Sequence, residues 1–336
     1  MPAARISLDM RPSGQSIAFA HHARCGSSGP LDPDRGIGDT QLVSPIDRTV
    51  PRVPPVVSTR WQLARDAAVR YQDVIVPWIL GPFAEALVEI VEPRRGEAVL
   101  DLGCGTGAAT RAAAAVVGSA GRVVGVDLNV GMLEVARGVD QTDGTIAAAE
   151  AAATPIEWLE ATATAMPLAD ASFDAVLSAQ VLQFVPETEA VGREIRRVLR
   201  PGGRVGVSVW RGLAVNPYFA AQVETVIERL GEDAAQGLLA GFVMTDPGQL
   251  AMAFTVAGLE DVRVGTIDLV LDLPPLADWA PRHLAATPVA AALASAPGIA
   301  RELGADMAHA LGDYVTPDGV RVPFSSWVVE ARQPVG

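Results

Sequence analysis

The chain has no lysine: all of its Lys+Arg count of 26 is arginine. That absence excludes a phosphate-loop lysine, a Schiff base and a lysine general base. Cysteine is nearly absent too. Cys25 and Cys104 are too few for a disulfide framework or a thiolate metal site. The four histidines, at 21, 22, 283 and 309, show no HExxH or other metal-ligand spacing, so no metal is expected. No apolar run approaches the ~18 residues of a membrane span. The opening stretch MPAARISLDMRPSG lacks the apolar core of a secretory signal, so a cytoplasmic location is the default expectation. Positive charge is also short. A formal net charge of −13 repels a phosphate backbone, and nucleic acid is not an expected partner.

What the chain has in quantity is apolar residues, 49% of its 336 positions, enough for a substantial core. They are unevenly spread. Residues 1–58 hold eight prolines and five glycines without apolar periodicity, and read as a disordered leader. Residues 59–95 show helical spacing broken by Pro77 and Pro82, which predicts helices over about 60–73 and 80–91.

Beyond residue 96 strands and helices alternate. Strands are expected near 97–102, 122–127, 156–160, 174–178 and 204–210, with helices near 107–117, 130–138, 188–199 and 216–230. That order implies an α/β fold with a parallel sheet covered on both faces. A helix at 246–258 and strands at 262–273 and 320–331 follow. Pro323 marks one side of the last strand as an edge or bulge. Residues 276–312 read as helical, with breaks at Pro281, Pro288 and Pro297. The run AAAEAAA at 147–153 reads as a helix extension or surface insert.

Within this frame one stretch is dense in chemistry. VLDLGCGTG runs from an apolar strand into Gly103, Gly105 and Gly107 and then opens a helix. Such a turn lets backbone approach a ligand and aims helix N–H groups at it. A second apolar strand ends at Asp127, twenty positions after Gly107, where a carboxylate can accept both hydroxyls of a ribose. Gly103, Gly105 and Ala108 also satisfy a loose dinucleotide pattern, so the turn alone leaves a nicotinamide cofactor open. Asp101 argues against it. An acid at the strand end would face a pyrophosphate unfavourably, but it suits a sulfonium and an amino group.

VLDLGCGTG, VVGVDLNVGML, ATAMPLADASFDAVLSAQVLQFV and IRRVLRPGGRVGVSVW resemble, in order, the motifs of class I S-adenosylmethionine-dependent methyltransferases. The resemblance is to the small-molecule branch that includes the ubiquinone/menaquinone methyltransferases. It implies a Rossmann-like seven-stranded sheet with the last strand antiparallel between the fifth and sixth. It further implies helical lids from residues 59–95 and a substrate cap at about 276–312, within a methyltransferase domain of 96–336. By the same resemblance Gly103, Cys104, Gly105, Gly107 and Asp101 surround the methionine and ribose side, and Asp127 takes the ribose. Leu128, Met132, Thr162 and Ala163 meet the adenine, and Gln180 the methionine end.

One departure stands out: Ala161-Thr162-Ala163 occupies the place where the family usually carries an acid for the adenine amino group. Thr162 offers a neutral acceptor there, and Glu160 is the other candidate. The expected activity is methyl transfer to an O, N or C atom of a small, hydrophobic or aromatic metabolite, driven chiefly by proximity. A non-methylating enzyme or a regulatory protein on the same fold is the alternative. Candidate catalytic side chains are Tyr71, His283 and His309. Asn216 reads either as a pocket residue or as a helix N-cap.

Overall fold

The computed structural model describes residues 5–7, 65–142, 156–296 and 298–336. Its strands are β1 (Arg5–Ser7), β2 (Ala98–Leu102), β3 (Arg122–Asp127), β4 (Ile156–Glu160), β5 (Phe173–Ala179), β6 (Leu199–Trp210), β7 (Glu260–Leu273), β8 (Val315–Thr316) and β9 (Gly319–Arg332). They form one sheet in the order β1-β7-β9-β6-β5-β2-β3-β4, with β8 paired to β9. Strands β6, β5, β2, β3 and β4 run parallel, and β9 lies antiparallel between β6 and β7. The seven long strands therefore take the expected places.

The two short strands were not anticipated. Arg5–Ser7, inside the leader read as disordered, adds to the outer edge of β7 opposite Thr266, Ile267 and Asp268. A free sheet edge accepts any short extended segment through its backbone, and composition carries no sign of that. The rest of 1–58 and the run at 147–153 lie outside the described residues.

Helices cover both faces: α1 (Arg65–Val74), α2 (Gly81–Val91), α3 (Ala108–Val117), α4 (Val130–Thr142), α5 (Thr188–Val198), α6 (Pro217–Leu230), α7 (Glu232–Leu239), α8 (Gly248–Val256), α9 (Leu276–Leu284), α10 (Ala290–Ser295) and α11 (Ile299–Leu311). Strand alternation sorts the core in two. Val99, Val123, Ala175 and Leu177 pack on the side of α2, α3 and α6. Leu100, Val124, Val126 and Val176 pack on the side of α5 and α8. Among the described residues no single helix is long and apolar enough to cross a membrane.

Two prolines show how context decides their effect. Pro281 does not break the cap as expected; it sits inside α9. Burial of Trp279, Ala280, His283 and Leu284 holds that turn, and the ring removes a single backbone bond. Pro288 does fall between α9 and α10, while Pro297 lies outside the described residues. In β9, Pro323 pairs with Val270 on one side. On the other side β6 has already ended, at Trp210 opposite Ser326, so no donor is missed there.

The parallel strands all end on one edge of the sheet. The chain fills β3 and β4 to one side of β2, then returns to place β5 and β6 on the other. The crevice at such a reversal, beyond the carboxyl ends of the strands, is where open α/β sheets bind ligands.

Candidate functional site

A cavity of about 360 Å³ opens at that crevice. Its floor is the glycine turn after β2. The amides of Gly103 and Cys104 donate to the Val126 carbonyl at 2.7 and 2.9 Å, which ties the turn to β3. Gly103 has φ +72°, and a Cβ there would stand 2.4 Å from Val181 Cγ1. Only glycine fits on both counts. Gly107, at φ +90°, caps α3, and the Trp158 ring occupies the space of its missing side chain at 2.4 Å. Gly103, Cys104 and Gly105 line the cavity; Gly107 does not, and departs from its expected place.

Two acids meet the turn. Asp127 accepts from the Gly105 amide through Oδ2 at 2.8 Å and from the Asn129 amide through Oδ1 at 2.7 Å. Each oxygen keeps a lone pair for a ligand hydroxyl. Burial raises its pKa, against the pull of these amides. Asp101, 1% exposed, accepts from Thr110 Oγ1 at 2.6 Å through Oδ2, while Oδ1 has no partner among the described residues. Burial, with the charge of Asp127 adding to it, pushes the Asp101 carboxyl up to about 6. An under-bonded buried carboxylate on a cavity wall fits a cationic or N–H donor. Asn129 Nδ2, on the same wall, is likewise without a partner among the described residues. Cys104 is a buried thiol whose pKa burial raises well above normal, so it is packing and not a nucleophile.

The far end of the cavity is apolar. Leu128, 56% exposed, and buried Met132 stand on one side, and Ala161, Thr162 and Ala163 on another. Glu160 is not on the wall. Thr162 Oγ1 lies 3.1 Å from Thr164 Oγ1. The roof is Tyr71 of α1, Val76 and Leu80 of a single π turn, and Ala84 of α2. Burial raises the Tyr71 phenol, with the Asp127 charge contributing, so the ring faces the cavity as a neutral phenol.

A smaller cavity of about 90 Å³ shares Tyr71, Leu80, Gln180 and Phe184 with the first. Gln180 stands at this junction with φ +60°, an uncommon conformation for a residue with a side chain. Its amide nitrogen donates to Ser326 Oγ at 2.7 Å. Trp210, Phe219 and Phe242 supply aromatic walls, and Gln183, Gln222, His283 and Thr287 polar ones. His283, 3% exposed, bonds Tyr218 Oη through Nδ1 at 2.6 Å, with the two rings stacked. Burial pushes its imidazole down to about 3, so it is neutral at working pH.

Of the three catalytic candidates, Tyr71 and His283 meet at this second cavity. His309 does not: it is exposed on α11 and lines no cavity described here. Asn216 occupies the N-cap position of α6, but its side chain makes no capping bond. Its amide donates to the carbonyls of Arg211, Gly212 and Ser325 and accepts from the Ser325 amide, which staples the start of α6 to β9. Asp174 receives the Ala98 amide and pairs with Arg200, a structural strand-start acid.

Sequence reasoning missed Asn129, Gln183, Phe219, Gln222 and Phe242. Phe219 and Gln222 lie one helical turn apart, and Gln183 follows Gln180 by three, but that spacing is common to any helix. Among the described residues no cluster of three or more His, Cys, Asp or Glu is placed to hold a metal.

Residues 100–207 match a methyltransferase-domain family. The ubiquinone/menaquinone biosynthesis C-methyltransferase of Enterobacter sp. (strain 638) is 34% identical over 180 residues, 51% of this chain and 69% of that protein. The nocamycin O-methyltransferase of Saccharothrix syringae is 30% identical over 208 residues, 57% of this chain and 70% of that one. Phosphoethanolamine N-methyltransferase 2 of Haemonchus contortus has been solved with phosphomonomethylethanolamine and S-adenosylhomocysteine. It superposes with a TM-score of 0.51 at 21% identity, over 83% of this chain and 59% of that one, and so shares the fold. The chain belongs to the class I S-adenosylmethionine-dependent methyltransferases, small-molecule branch.

Proposed function

We propose that this methyltransferase holds S-adenosylmethionine in the larger cavity and an O, N or C nucleophile of a small, hydrophobic or aromatic metabolite in the smaller one. The observation that carries the reading is the common wall of Tyr71, Leu80, Gln180 and Phe184, by which the two cavities adjoin. In this assignment Asp127 takes the ribose hydroxyls, and Asp101 and Asn129 the charged amino-acid end. Leu128, Met132, Ala161, Thr162 and Ala163 take the adenine, and Gln180 stands at the methionine end. The unpartnered Oδ1 of Asp101 supports it, because an S-adenosylmethionine amino group is the donor such an oxygen lacks.

The cofactor supplies a methyl on a sulfonium, open to displacement by a nucleophile in line with the breaking bond. The chain contributes alignment and exclusion of water. Helices α1 and α2 serve as a lid and α9 as the substrate cap. Arg70 Nε donates to the Ala285 carbonyl at 3.2 Å and Trp279 Nε1 to the Val74 carbonyl at 3.3 Å, so lid and cap are positioned together. The names of the two curated relatives place their methyl groups on carbon and on oxygen, which suits a cavity selecting by shape.

The test is mass spectrometry of full-length protein incubated with S-adenosylmethionine and a panel of phenols, amines and acids. A product heavier by one methyl, formed together with S-adenosylhomocysteine, is the expected result. Cofactor binding with no methylated product from the panel would overturn the choice of small aromatic acceptors.

A further inference from the structure

We propose that the smaller cavity selects an uncharged planar acceptor that carries a hydroxyl beside a carbonyl oxygen, read by Gln183, Gln222 and His283. The inference rests on the assignment of this cavity to the methyl acceptor.

The first ground is charge. Among the described residues no Arg, Asp or Glu stands on the wall of the smaller cavity. A carboxylate, phosphate or ammonium placed there would be desolvated without a counter-ion. Neutral His283 does not supply one.

The second ground is shape. Trp210 packs edge-on against Phe83 and Phe219, with centroids 4.8 and 4.9 Å apart, and Phe219 lies 5.2 Å from Phe242. These rings give flat apolar walls. The volume of about 90 Å³ is below the ~150 Å³ of a cavity that holds benzene. One ring exceeds that volume, so the acceptor occupies the cavity in part and its reacting edge extends past the shared wall at Tyr71 and Gln180.

The third ground is a set of buried polar atoms that the protein does not satisfy. Gln183 Nε2 donates to the Gln180 carbonyl at 2.9 Å, which orients the amide and leaves Oε1 as an acceptor without a partner among the described residues. Gln222 is 2% exposed, and its Nε2 is equally without a partner among the described residues. Tyr218 fixes the tautomer of His283. The phenol is fully buried, and His283 Nδ1 is its hydrogen-bond partner, so its O–H must donate there. Nδ1 is then the acceptor, and the proton sits on Nε2. The wall thus offers a fixed acceptor at Gln183, a second at Gln180 Oε1, which has no partner among the described residues, and donors at His283 and Gln222. A ligand hydroxyl answers an acceptor and a carbonyl oxygen the donors. Tyr218 is here a positioning residue.

The experiment is calorimetric titration of the full chain loaded with S-adenosylhomocysteine. The probes are 2′-hydroxyacetophenone, acetophenone, salicylate and benzylamine. The hydroxyketone is expected to bind at least about tenfold more tightly than each of the others, because a site built for a hydrogen bond rejects a ligand lacking it. Gln222→Leu and His283→Phe are each expected to weaken it at least about fivefold with S-adenosylhomocysteine affinity unchanged. Tyr218→Phe keeps the cavity walls and should weaken it about threefold. In the same variant the ¹⁵N imidazole signals of His283 should move from a single Nε2–H tautomer to a mixture, a readout that loss of packing alone does not produce. If His283→Phe does not fold, Gln222→Leu and Tyr218→Phe carry the comparison. Equal or tighter binding of salicylate or benzylamine overturns the proposal. So does failure of the hydroxyketone to bind, or its unchanged affinity in the folded variants. Failure of S-adenosylhomocysteine itself to bind overturns the underlying site assignment, and the proposal with it.

Discussion

The larger and smaller cavities are built in opposite ways. The larger takes its floor from one continuous stretch, Asp101 to Met132, and it uses backbone amides, glycines and two acids. The smaller takes side chains from α1, the turn after β5, α6, α7 and α9, and it uses rings and amides. Positive φ at Gly103, Gly105 and Gly107 makes the first a backbone device. The second could be rebuilt by changing side chains while the sheet stays as it is. On the proposed assignment, the difference teaches that a donor common to many proteins is held by chain geometry, and an individual acceptor by a removable lining.

The sharpest way to break this comparison is Gly103→Ala. The added Cβ would meet Val181 at 2.4 Å at φ +72°. A loss of about 2–4 kcal/mol in stability and of measurable S-adenosylhomocysteine binding is expected, read by thermal melts and calorimetry. Next, Asp127→Ala should reduce cofactor affinity at least about tenfold by calorimetry, through loss of a doubly accepting carboxylate. Unchanged binding would remove Asp127 from the site.

Asp101→Asn separates binding from stability. In the folded protein the Asp101 value of about 6 lies above its ordinary 3.8, so its favourable contribution is complete below 3.8 and is lost as pH rises through about 6. The variant should therefore be more stable than the parent at neutral pH, by about 1–3 kcal/mol in ligand-free melts. In the parent, affinity for S-adenosylhomocysteine, whose ammonium is the group proposed to meet Asp101, should rise across the same interval; in the variant it should be flat.

On the other side of the comparison, Trp210→Phe enlarges the acceptor cavity. It should cost about 1 kcal/mol and leave cofactor binding alone, while shifting acceptor preference toward bulkier rings in a competition assay. The smallest effect belongs to His309→Ala. This exposed side chain touches neither cavity, and turnover and melting temperature should stay within error, a stability change under about 0.5 kcal/mol.

How much was legible follows from the same contrast. Asp101, Gly103, Gly105 and Asp127 belong to one strand–turn–helix–strand unit, so spacing was enough to bring them to one cavity. Gly107 belongs to the same motif but turns toward Trp158, which arrives from β4, 51 residues on, and could not be placed by spacing. Tyr218 and His283 are 65 residues apart, and their 2.6 Å contact exists only because α9 folds back over α6. His283 and His309 looked alike in the sequence; the helix face that each occupies buried one and exposed the other.

By itself the sequence determined the alternation of strands and helices, the glycine turn and the acid at each strand end. These are local consequences of apolar periodicity and backbone freedom, acting over a few residues. The tertiary structure decided which polar groups are left unpaired among the described residues, Asp101 Oδ1, Asn129 Nδ2, Gln180 Oε1, Gln183 Oε1 and Gln222 Nε2 among them. A hydrogen bond is satisfied or not by what packs against it. Long-range packing of α1, α6 and α9 around the ends of β2 and β5 is not written in the spacing of any one segment.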